Sequence, residues 1–396
     1  MSVVANEKKP SICLVAHFAY GAISGNPSGH IGGVERQTTL MARWLADRGY
    51  RVSLLTWDEG QDERVDMDGV RVLAICPQSK GLRGLRFFHP RWTGLVRAMR
   101  RADADVYYQN CGEYVTGQVA AWCRANGRKF VYSVANNPDV DPKLPEMKTF
   151  RERILYRYGL RRADRVIVQT RYQQERLRDG WGIASVVIPM PSLTDDQRSF
   201  DPPSPPDTAP ARILWIGRIA EQKRLEWLLD LAEACPDLHF DVVGDANVES
   251  EYSQTLKKRA RTLANVTMHG YVPYCETARF YRQSALLCCT STFEGFPNTF
   301  LEAWSQGRPI VSTFDPDNLI AEKNLGLSAN DVPGLVRGIR QLLQTPGLYR
   351  QASENARRYF LDNHTSQAVM SRFENVFLDV FRNGAEAIAA TGGEQP

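Results

Sequence analysis

The chain has 396 residues, of which 43% are hydrophobic and 24% are charged, and its net charge is +4. These values are ordinary for a globular protein of about two domains and exclude a disordered or fibrous chain. No apolar run reaches the roughly 18 residues of a membrane-spanning helix, and we expect no secretory signal peptide. The eight cysteines form no Cys-x-x-Cys pair, which favours reduced thiols, a cytoplasmic location and no metal site.

Strand-like and helix-like segments alternate through the first half of the chain. Val34, Thr38, Met41 and Leu45 recur at helical spacing, and Gly49 follows as a stop signal. Strands are predicted at residues 11–17, 50–57, 70–76, 105–109, 129–134, 165–169 and 186–189. This alternation predicts a parallel sheet with helices on both faces.

The pattern stops in a stretch rich in Pro, Ser and Asp and then begins again. Further strands are predicted at residues 212–217, 239–244, 266–269, 285–290 and 309–314, and helices from about residue 331 to 383. We therefore predict an N-terminal domain at 1–193, a linker at 194–210, a C-terminal domain at 211–364, a helix at 365–383 and a disordered tail at 384–396. Two such domains would place a ligand cleft between them, at the carboxyl ends of the strands.

The segment 293–304, with the sequence FEGFPNTFLEAW, carries the clearest functional signal. It predicts Glu294 on a loop and Glu302 inside a helix, with the free amides of the helix start between them. A helix start attracts phosphate, and carboxylates accept hydrogen bonds from hydroxyls. The arrangement suits a nucleotide-diphosphate sugar, which has phosphates in the middle and hydroxyls at both ends.

Other strand ends carry further glycine and charge signals. They are Gly32-Gly33 before the first helix, Gly217-Arg218 with Lys223 five residues later, Gly244-Asp245, and His269-Gly270-Tyr271-Val272. The first is not G-x-G-x-x-G, which disfavours a dinucleotide-binding dehydrogenase. Asp-x-Asp occurs at residues 66/68, 103/105, 139/141 and 315/317, but these pairs fall mostly in loops and we expect no metal. No role is assigned to His269.

In this order and spacing, the motifs resemble glycosyltransferase family 4, a family of retaining enzymes with the GT-B fold. The resemblance runs from about residue 11 to about residue 380. It implies two doubly wound α/β, Rossmann-like domains facing a central cleft, with the helix at 365–383 crossing back to the first domain. It also implies a retaining hexosyltransferase that moves a sugar from a UDP- or GDP-linked donor to a glycan or lipid-linked acceptor, in cell-envelope or exopolysaccharide synthesis, without a metal or other cofactor.

The resemblance also assigns residues. Arg218 and Lys223 would hold the donor diphosphate, Glu294 the hydroxyls of the donor sugar, and Glu302 those of the ribose. Backbone groups of residues 298–300 would meet the phosphates, and those near Tyr271 would lie by the base. The catalytic positions are Arg218, Lys223 and Glu294. The donor-binding positions are Gly32, Gly33, Asn136, Gly217, Tyr271, Val272, Gly295, Phe296, Asn298, Thr299, Phe300 and Glu302.

One position departs from the family pattern. Many members carry a histidine after the strand predicted at 129–134, where it contacts the donor sugar, whereas this chain continues with Ala135 and Asn136. Asn136 and Asn137 are candidate hydrogen-bond donors in its place, and Asp139 is a candidate acceptor. The change puts the usual hexose preference in question.

A basic segment in the first domain suggests a second partner. Residues 1–200 hold 30 Lys and Arg against 21 Asp and Glu, and residues 70–102 hold no acidic residue. Basic and aromatic residues mixed in this way suit an anionic membrane surface, and we favour peripheral contact with the inner membrane face over nucleic acid. The membrane-facing candidates are Arg83, Arg86, Arg91, Trp92 and Arg97.

Two other functions remain open at this stage. A nucleotide-sugar epimerase of similar fold would need no sugar acceptor. A non-catalytic sugar-nucleotide-binding protein would fit the missing histidine, although Arg218, Lys223, Glu294 and Glu302 are all present.

Overall fold

The computed structural model describes residues 9–26, 32–82, 84–192 and 210–391, with side chains as far as residue 383. The chain divides into two compact units, Met1–Leu193 with Val369–Pro396, and Thr194–Ala368. Arg83 and nearly all of the predicted linker at 194–210 lie outside the described residues.

The described elements alternate along the chain. The strands are β1 Ile12–Val15, β2 Val52–Asp58, β3 Arg64–Met67, β4 Val70–Pro77, β5 Val106–Asn110, β6 Lys129–Ser133, β7 Arg165–Val168, β8 Val186–Val187, β9 Arg212–Ile216, β10 His239–Val243, β11 Val266–Gly270, β12 Leu286–Cys289, β13 Ile310–Ser312 and β14 Gly326–Ser328. The helices are α1 Tyr20–Ser24, α2 Gly33–Asp47, α3 Thr93–Ala102, α4 Tyr114–Ala125, α5 Phe150–Arg162, α6 Arg171–Trp181, α7 Leu225–Ala234, α8 Glu251–Ala260, α9 Tyr274–Gln283, α10 Asn298–Ser305, α11 Leu319–Glu322, α12 Val332–Gln344, α13 Pro346–Asn363 and α14 Ser366–Thr391.

The first unit is built on an eight-stranded sheet in the order β3-β4-β2-β1-β5-β6-β7-β8. All neighbouring pairs are parallel except β3 and β4. Side chains of β1 alternate between the two faces, so that Ile12 and Leu14 enter one apolar core and Cys13 and Val15 the other. Burial on both faces explains why the strands are continuous apolar runs.

The last helix contributes to the core of this first unit. Val369, Met370 and Phe377 of α14 are buried in it, and Phe373 and Phe377 meet the ring of Tyr108 edge-on. The predicted disordered tail from residue 384 is wrong in part, because α14 continues to Thr391. Four of the eight residues from 384 to 391 are Ala, the residue that most favours helix.

The second unit contains a six-stranded parallel sheet in the order β11-β10-β9-β12-β13-β14. Leucines of α7 and α12 pack with Ile213, Trp215 and Phe240 of the sheet. Both units are therefore parallel α/β domains, which confirms the predicted fold class. Each sheet presents a row of strand carboxyl ends, and in such sheets ligands bind at those ends.

Candidate active site

Three glycines bring the strand ends of the second unit close together. The amide of Gly217 donates to the carbonyl of Val243 at 3.0 Å, and that of Gly244 donates to Gly270 at 2.8 Å. Gly244 has a φ of +124°, and a Cβ there would lie 1.9 Å from the carbonyl oxygen of Gly217. No other residue fits at 244, so the turn after β10 and the start of the Gly217-Arg218 loop are held together.

Lys223 and Glu294 form an ion pair at this edge of the sheet. Lys223 ends the 3₁₀ turn Glu221–Lys223 after β9, and Glu294 lies on the loop after β12. The Lys223 ammonium donates to Oε1 of Glu294, and both side chains are largely buried. They line a small pocket together with Thr299, Trp215 and Ser291. Two predicted catalytic residues and one predicted donor-binding residue therefore share one site.

Hydrogen bonds join the two loops that carry this pair. The amide of Thr292 donates to the carbonyl of Gln222 at 2.8 Å, and the Gln222 side chain donates to the carbonyl of Phe293 at 2.6 Å. The Thr290 hydroxyl donates to the carbonyl of Lys223 at 2.6 Å. These bonds fix the backbone on both sides of the pair, so its geometry does not depend on two flexible side chains alone.

Helix α10 begins directly after the Glu294 loop. The amide of Thr299 donates to no group in the part of the chain that the structure describes, as expected for the first turn of a helix. The amide of Phe300, by contrast, donates to the carbonyl of Pro297 at 3.0 Å. Phe300 was predicted to contact a phosphate through its backbone, and this internal bond leaves that role to the residues before it.

Gly295 and Phe296 have a supporting place in the same loop. Both are buried, and the Phe296 ring packs against Trp304 and His364. The side chains of Phe296 and Phe300 therefore anchor α10 and do not face solvent.

Glu302 lies one turn further along α10 and is oriented by a buried tyrosine. The hydroxyl of Tyr281 on α9 donates to Oε2 of Glu302 at 2.7 Å. Burial and the neighbouring carboxylate raise the pKa of Tyr281 well above its usual value, so the hydroxyl keeps its proton. Sequence reasoning found Glu302 but missed Tyr281, because the contact joins two helices.

The remaining predicted positions of the second unit lie on its surface. Arg218 is exposed and makes no hydrogen bond or ion pair with any described residue. Tyr271 is 63% exposed and Val272 is half-buried, both directly after β11. His269, to which no role was assigned, lies 2.7 Å from the buried Asp241 carboxylate and packs on Phe280.

In the first unit, the predicted donor-binding residues lie at carboxyl ends of strands or at a helix start. Gly32 is the N-cap of α2 and Gly33 its first residue. Of the candidates to replace the family histidine, Asn136 is exposed, and the Asn137 side chain accepts a bond from Gln173 at 3.0 Å. Asp139 is buried and accepts from the amides of Gly112 and Asn136 at 3.3 and 3.2 Å. The Asp139 carboxylate is therefore buried and hydrogen-bonded within the protein, whereas Asn136 is accessible to a ligand from solvent.

The predicted membrane-facing residues differ in exposure. Arg86 and Arg97 are exposed, whereas Arg91 and Trp92 are half-buried. The Arg91 guanidinium donates to the carbonyl of Gln78, and the Trp92 ring stacks on Phe88. Exposed apolar side chains also lie nearby in sequence or on α5, and they are Leu82, Leu85, Phe88, Phe150 and Ile154. Arg151 of α5 lies over the Phe87 ring at 3.8 Å, which brings the two segments together.

The Asp-x-Asp pairs have internal partners. Asp66 and Asp68 pair with arginines, Asp103 pairs with Arg128, and Asp315 accepts from the amide of Ile320. Within the described residues, no three His, Cys, Asp or Glu side chains are grouped as metal ligands would be. No helix of the described chain combines the length and apolar character needed to cross a membrane.

Comparison with known families decides the class of protein. The model of the glycosyl transferase 4-like domain matches residues 32–191, and that of glycosyl transferases group 1 matches residues 210–345. The two matches together cover about three quarters of the chain. The protein is a glycosyltransferase of the family 4 type.

Curated relatives are glycosyltransferases of several kinds. The chain is 27% identical to mannosylfructose-phosphate synthase of Agrobacterium fabrum over 78% of this chain and 77% of that protein. It is 24% identical to the lipopolysaccharide core biosynthesis glycosyltransferase LpsE of Rhizobium meliloti over 58% of this chain and 68% of that one. A match of 30% identity to an uncharacterized glycosyltransferase of Haemophilus influenzae spans 37% of this chain and only 43% of that protein.

Solved structures share the fold. Sucrose-phosphate synthase from Thermosynechococcus elongatus has a TM-score of 0.74 at 17% identity, covering 95% of this chain and all of that chain. Anabaena Alr3699/HepE, in complex with UDP and glucose, has a TM-score of 0.70 at 17% identity, covering 93% and 99%. These neighbours confirm the GT-B architecture of this family 4 glycosyltransferase.

Proposed function

We propose that the protein is a retaining hexosyltransferase that moves a sugar from a UDP- or GDP-linked donor to a glycan or lipid-linked acceptor in cell-envelope or exopolysaccharide synthesis. The observation that carries this proposal is the buried Lys223–Glu294 ion pair beside the start of α10. It combines a cation for phosphate, a carboxylate for hydroxyls and the free amide of Thr299 for an anion in one pocket.

The residues divide the donor between them. Lys223 and the exposed Arg218 neutralise the diphosphate, together with the amide of Thr299. Glu294 accepts hydrogen bonds from hydroxyls of the transferred sugar, and Glu302, oriented by Tyr281, accepts from the ribose. Support for a UDP donor comes from HepE, whose structure holds UDP and glucose.

Charge stabilisation explains how such a site accelerates transfer. Negative charge develops on the leaving diphosphate as its bond to the sugar breaks, and Lys223 and Arg218 lower the energy of that state. One preorganised donor of this kind lowers the barrier by roughly 3–4 kcal/mol. The acceptor hydroxyl forms its bond to the anomeric carbon on the face that the phosphate leaves, and its proton passes to a phosphate oxygen. This sequence retains the anomeric configuration and needs neither a protein nucleophile nor a metal.

The acceptor class rests on the relatives. LpsE is named for lipopolysaccharide core biosynthesis, which supports a cell-envelope glycan as acceptor.

Thermal stabilisation tests the donor site directly, because a ligand that binds only the native state raises the melting temperature. We expect UDP or GDP to raise it in the unaltered protein but not in Glu302→Ala, and ADP and NAD to have no effect. The donor site would be refuted if NAD alone raised the melting temperature, or if none of the four nucleotides raised it.

Retention and metal independence have their own tests. Once a donor is found, proton NMR of the first product formed should show the anomeric configuration of the donor, and an inverted product would rule out same-face attack. Transfer should continue unchanged in EDTA. Restoration of a lost activity by a divalent ion would contradict the metal-free mechanism.

The exposed apolar residues near α3 and α5 support peripheral contact with an anionic membrane. Leu82, Leu85 and Phe88 are exposed next to Arg86, and Phe150 lies beside Arg151. Apolar side chains flanked by cations bind such surfaces by insertion and charge attraction. We expect sedimentation with vesicles containing about 30% anionic lipid, less at high salt. Equal binding to neutral vesicles would contradict the role of charge attraction. Absence of binding to either kind of vesicle would contradict the membrane contact itself.

A further inference from the structure

Arg224, directly after Lys223, has a backbone conformation that needs an explanation. Its φ and ψ are +49° and +54°, a left-handed conformation that side chains other than glycine rarely adopt. Glycine would fit this position between the 3₁₀ turn and α7 without strain. An arginine here indicates that its side chain makes a contribution that outweighs the unfavourable backbone.

The guanidinium of Arg224 joins three points of the candidate active site. It donates through Nε to the carbonyl of Thr290 at 2.6 Å, and through Nη2 to the carbonyl of Ser291 at 3.1 Å and to the hydroxyl of Thr313 at 2.8 Å. Its plane lies over the ring of Trp227, with Cζ 3.8 Å from the ring centre. A planar fork with several donors makes all these contacts at once, which the single ammonium of lysine does not.

These contacts connect the two halves of the ion pair. Arg224 follows Lys223 in the chain, and the carbonyls that it binds belong to residues three and four positions before Glu294. Thr290 and Ser291 are buried, so the guanidinium also satisfies carbonyls that lie away from water. Arg224 has no hydrogen bond to Glu294 among the described contacts, so it acts on the site through Lys223 and the loop.

We propose that Arg224 is a positioning residue that holds the Lys223 ammonium where it meets the donor diphosphate. The proposal rests on the proposed function, because it assigns the diphosphate to Lys223. It predicts that loss of the guanidinium weakens contacts to phosphate and leaves contacts to base and ribose unchanged.

The test compares a nucleoside diphosphate with its nucleoside in calorimetric titrations of the full chain. The key variant is Arg224→Gly, which suits the left-handed backbone and removes the side chain with its guanidinium. We expect the affinity for UDP, or for GDP if the protein binds guanine nucleotides, to fall about tenfold or more, as expected when a charge-assisted hydrogen bond is misplaced. Binding of uridine or guanosine should be unchanged. Arg224→Lys should recover only part of the loss.

Two matched variants separate positioning from general effects on the fold. Asn324→Gly relieves another left-handed residue of the same unit, with a φ of +52°, and Arg340→Ala removes a guanidinium that pairs with Asp237 on the surface. Neither should change the affinity for the diphosphate. A loss of nucleoside binding in Arg224→Gly that parallels the loss of diphosphate binding would mean a structural role and overturn the proposal.

A double-variant cycle tests whether Arg224 acts through Lys223. In a Lys223→Ala background, Arg224→Gly should cause no further loss of diphosphate affinity, because the group that it positions is absent. Full additivity would overturn the proposal. If the unaltered protein binds the nucleotides and Arg224→Gly binds them equally well, the role of Arg224 alone is refuted. If the unaltered protein binds none of them, the donor site itself fails, and this proposal with it.

Discussion

Replacing Asp139 with asparagine is expected to stabilise the protein at pH 7.5 and to change its stability little at pH 4. Burial raises the pKa of Asp139 from 3.8 to about 6, against the lowering effect of the backbone amides of Asn136 and Gly112. Both amides donate to the same carboxylate oxygen, and the side-chain carbonyl oxygen of an asparagine can accept both bonds. The substitution removes the charge and keeps the hydrogen bonds.

The sign of the effect follows from linkage. Below the unfolded-state pKa, Asp139 is neutral in both states and does not oppose folding. As pH rises through the folded-state pKa, the unfolded chain has already lost its proton and the folded protein has not, so stability is lost. A shift of about two pKa units corresponds to about 3 kcal/mol above pH 7 and to about 0.5 kcal/mol at pH 4.

Thermal unfolding of the full chain at pH 4 and 7.5 measures the difference. For a domain of this size we expect the Asp139→Asn variant to melt about 6 °C or more above the unaltered protein at pH 7.5, and close to it at pH 4. Asp139→Ala leaves the two amides without an acceptor and should be less stable at pH 4. Asp141→Asn changes a half-buried carboxylate two residues away and serves as control. The reasoning would be refuted if the difference in melting temperature between Asp139→Asn and the unaltered protein did not increase from pH 4 to pH 7.5.

Two further predictions concern the donor site. Lys223→Ala should lower kcat about 100-fold or more with a smaller change in KM, because the charge of Lys223 acts mainly on the leaving diphosphate. Steady-state kinetics measure both constants, and a change in KM alone would contradict the assigned role. Tyr281→Phe should weaken binding of both UDP and uridine about fivefold, because Glu302 loses the donor that orients it; titration calorimetry checks this, and a loss confined to UDP would contradict a ribose role for Glu302.

The sequence predicted the alternating strands of both sheets because buried parallel strands are short apolar runs. It did not reveal the three-residue strand β14 at the edge of the second sheet. It also did not reveal β3, whose side chains alternate between exposed and half-buried positions and form no apolar run. A signal was present, because Asp68-Gly69 connects β3 to β4 with φ values of +50° and +74°, the two-residue turn typical of a hairpin. The hairpin adds the antiparallel edge strand that the alternation rule does not predict.

The residues of the candidate site also fall into two groups, those that the sequence predicts and those that it does not. Lys223 and Glu294, which the structure pairs, were predicted because strand ends and charge are readable along the chain. The roles of Arg218 and Glu302 stay predictions. Arg224 and Tyr281 were not predicted, because their partners lie 66 and 21 residues away in sequence. The periodicity of apolar residues predicts which positions are buried. It does not predict which group a buried side chain contacts.

The pairing of Lys223 with Glu294 indicates how the site responds to its donor. Both groups are largely buried, and a buried charge left without a partner is unfavourable. Their mutual pairing therefore keeps the site stable before a ligand enters. A donor that offers phosphate to Lys223 and hydroxyls to Glu294 gives each group a new partner at the same time, whereas free phosphate or a neutral sugar serves only one. The ion pair thus favours a ligand that carries both groups at the right spacing, which is the chemistry of a nucleotide sugar.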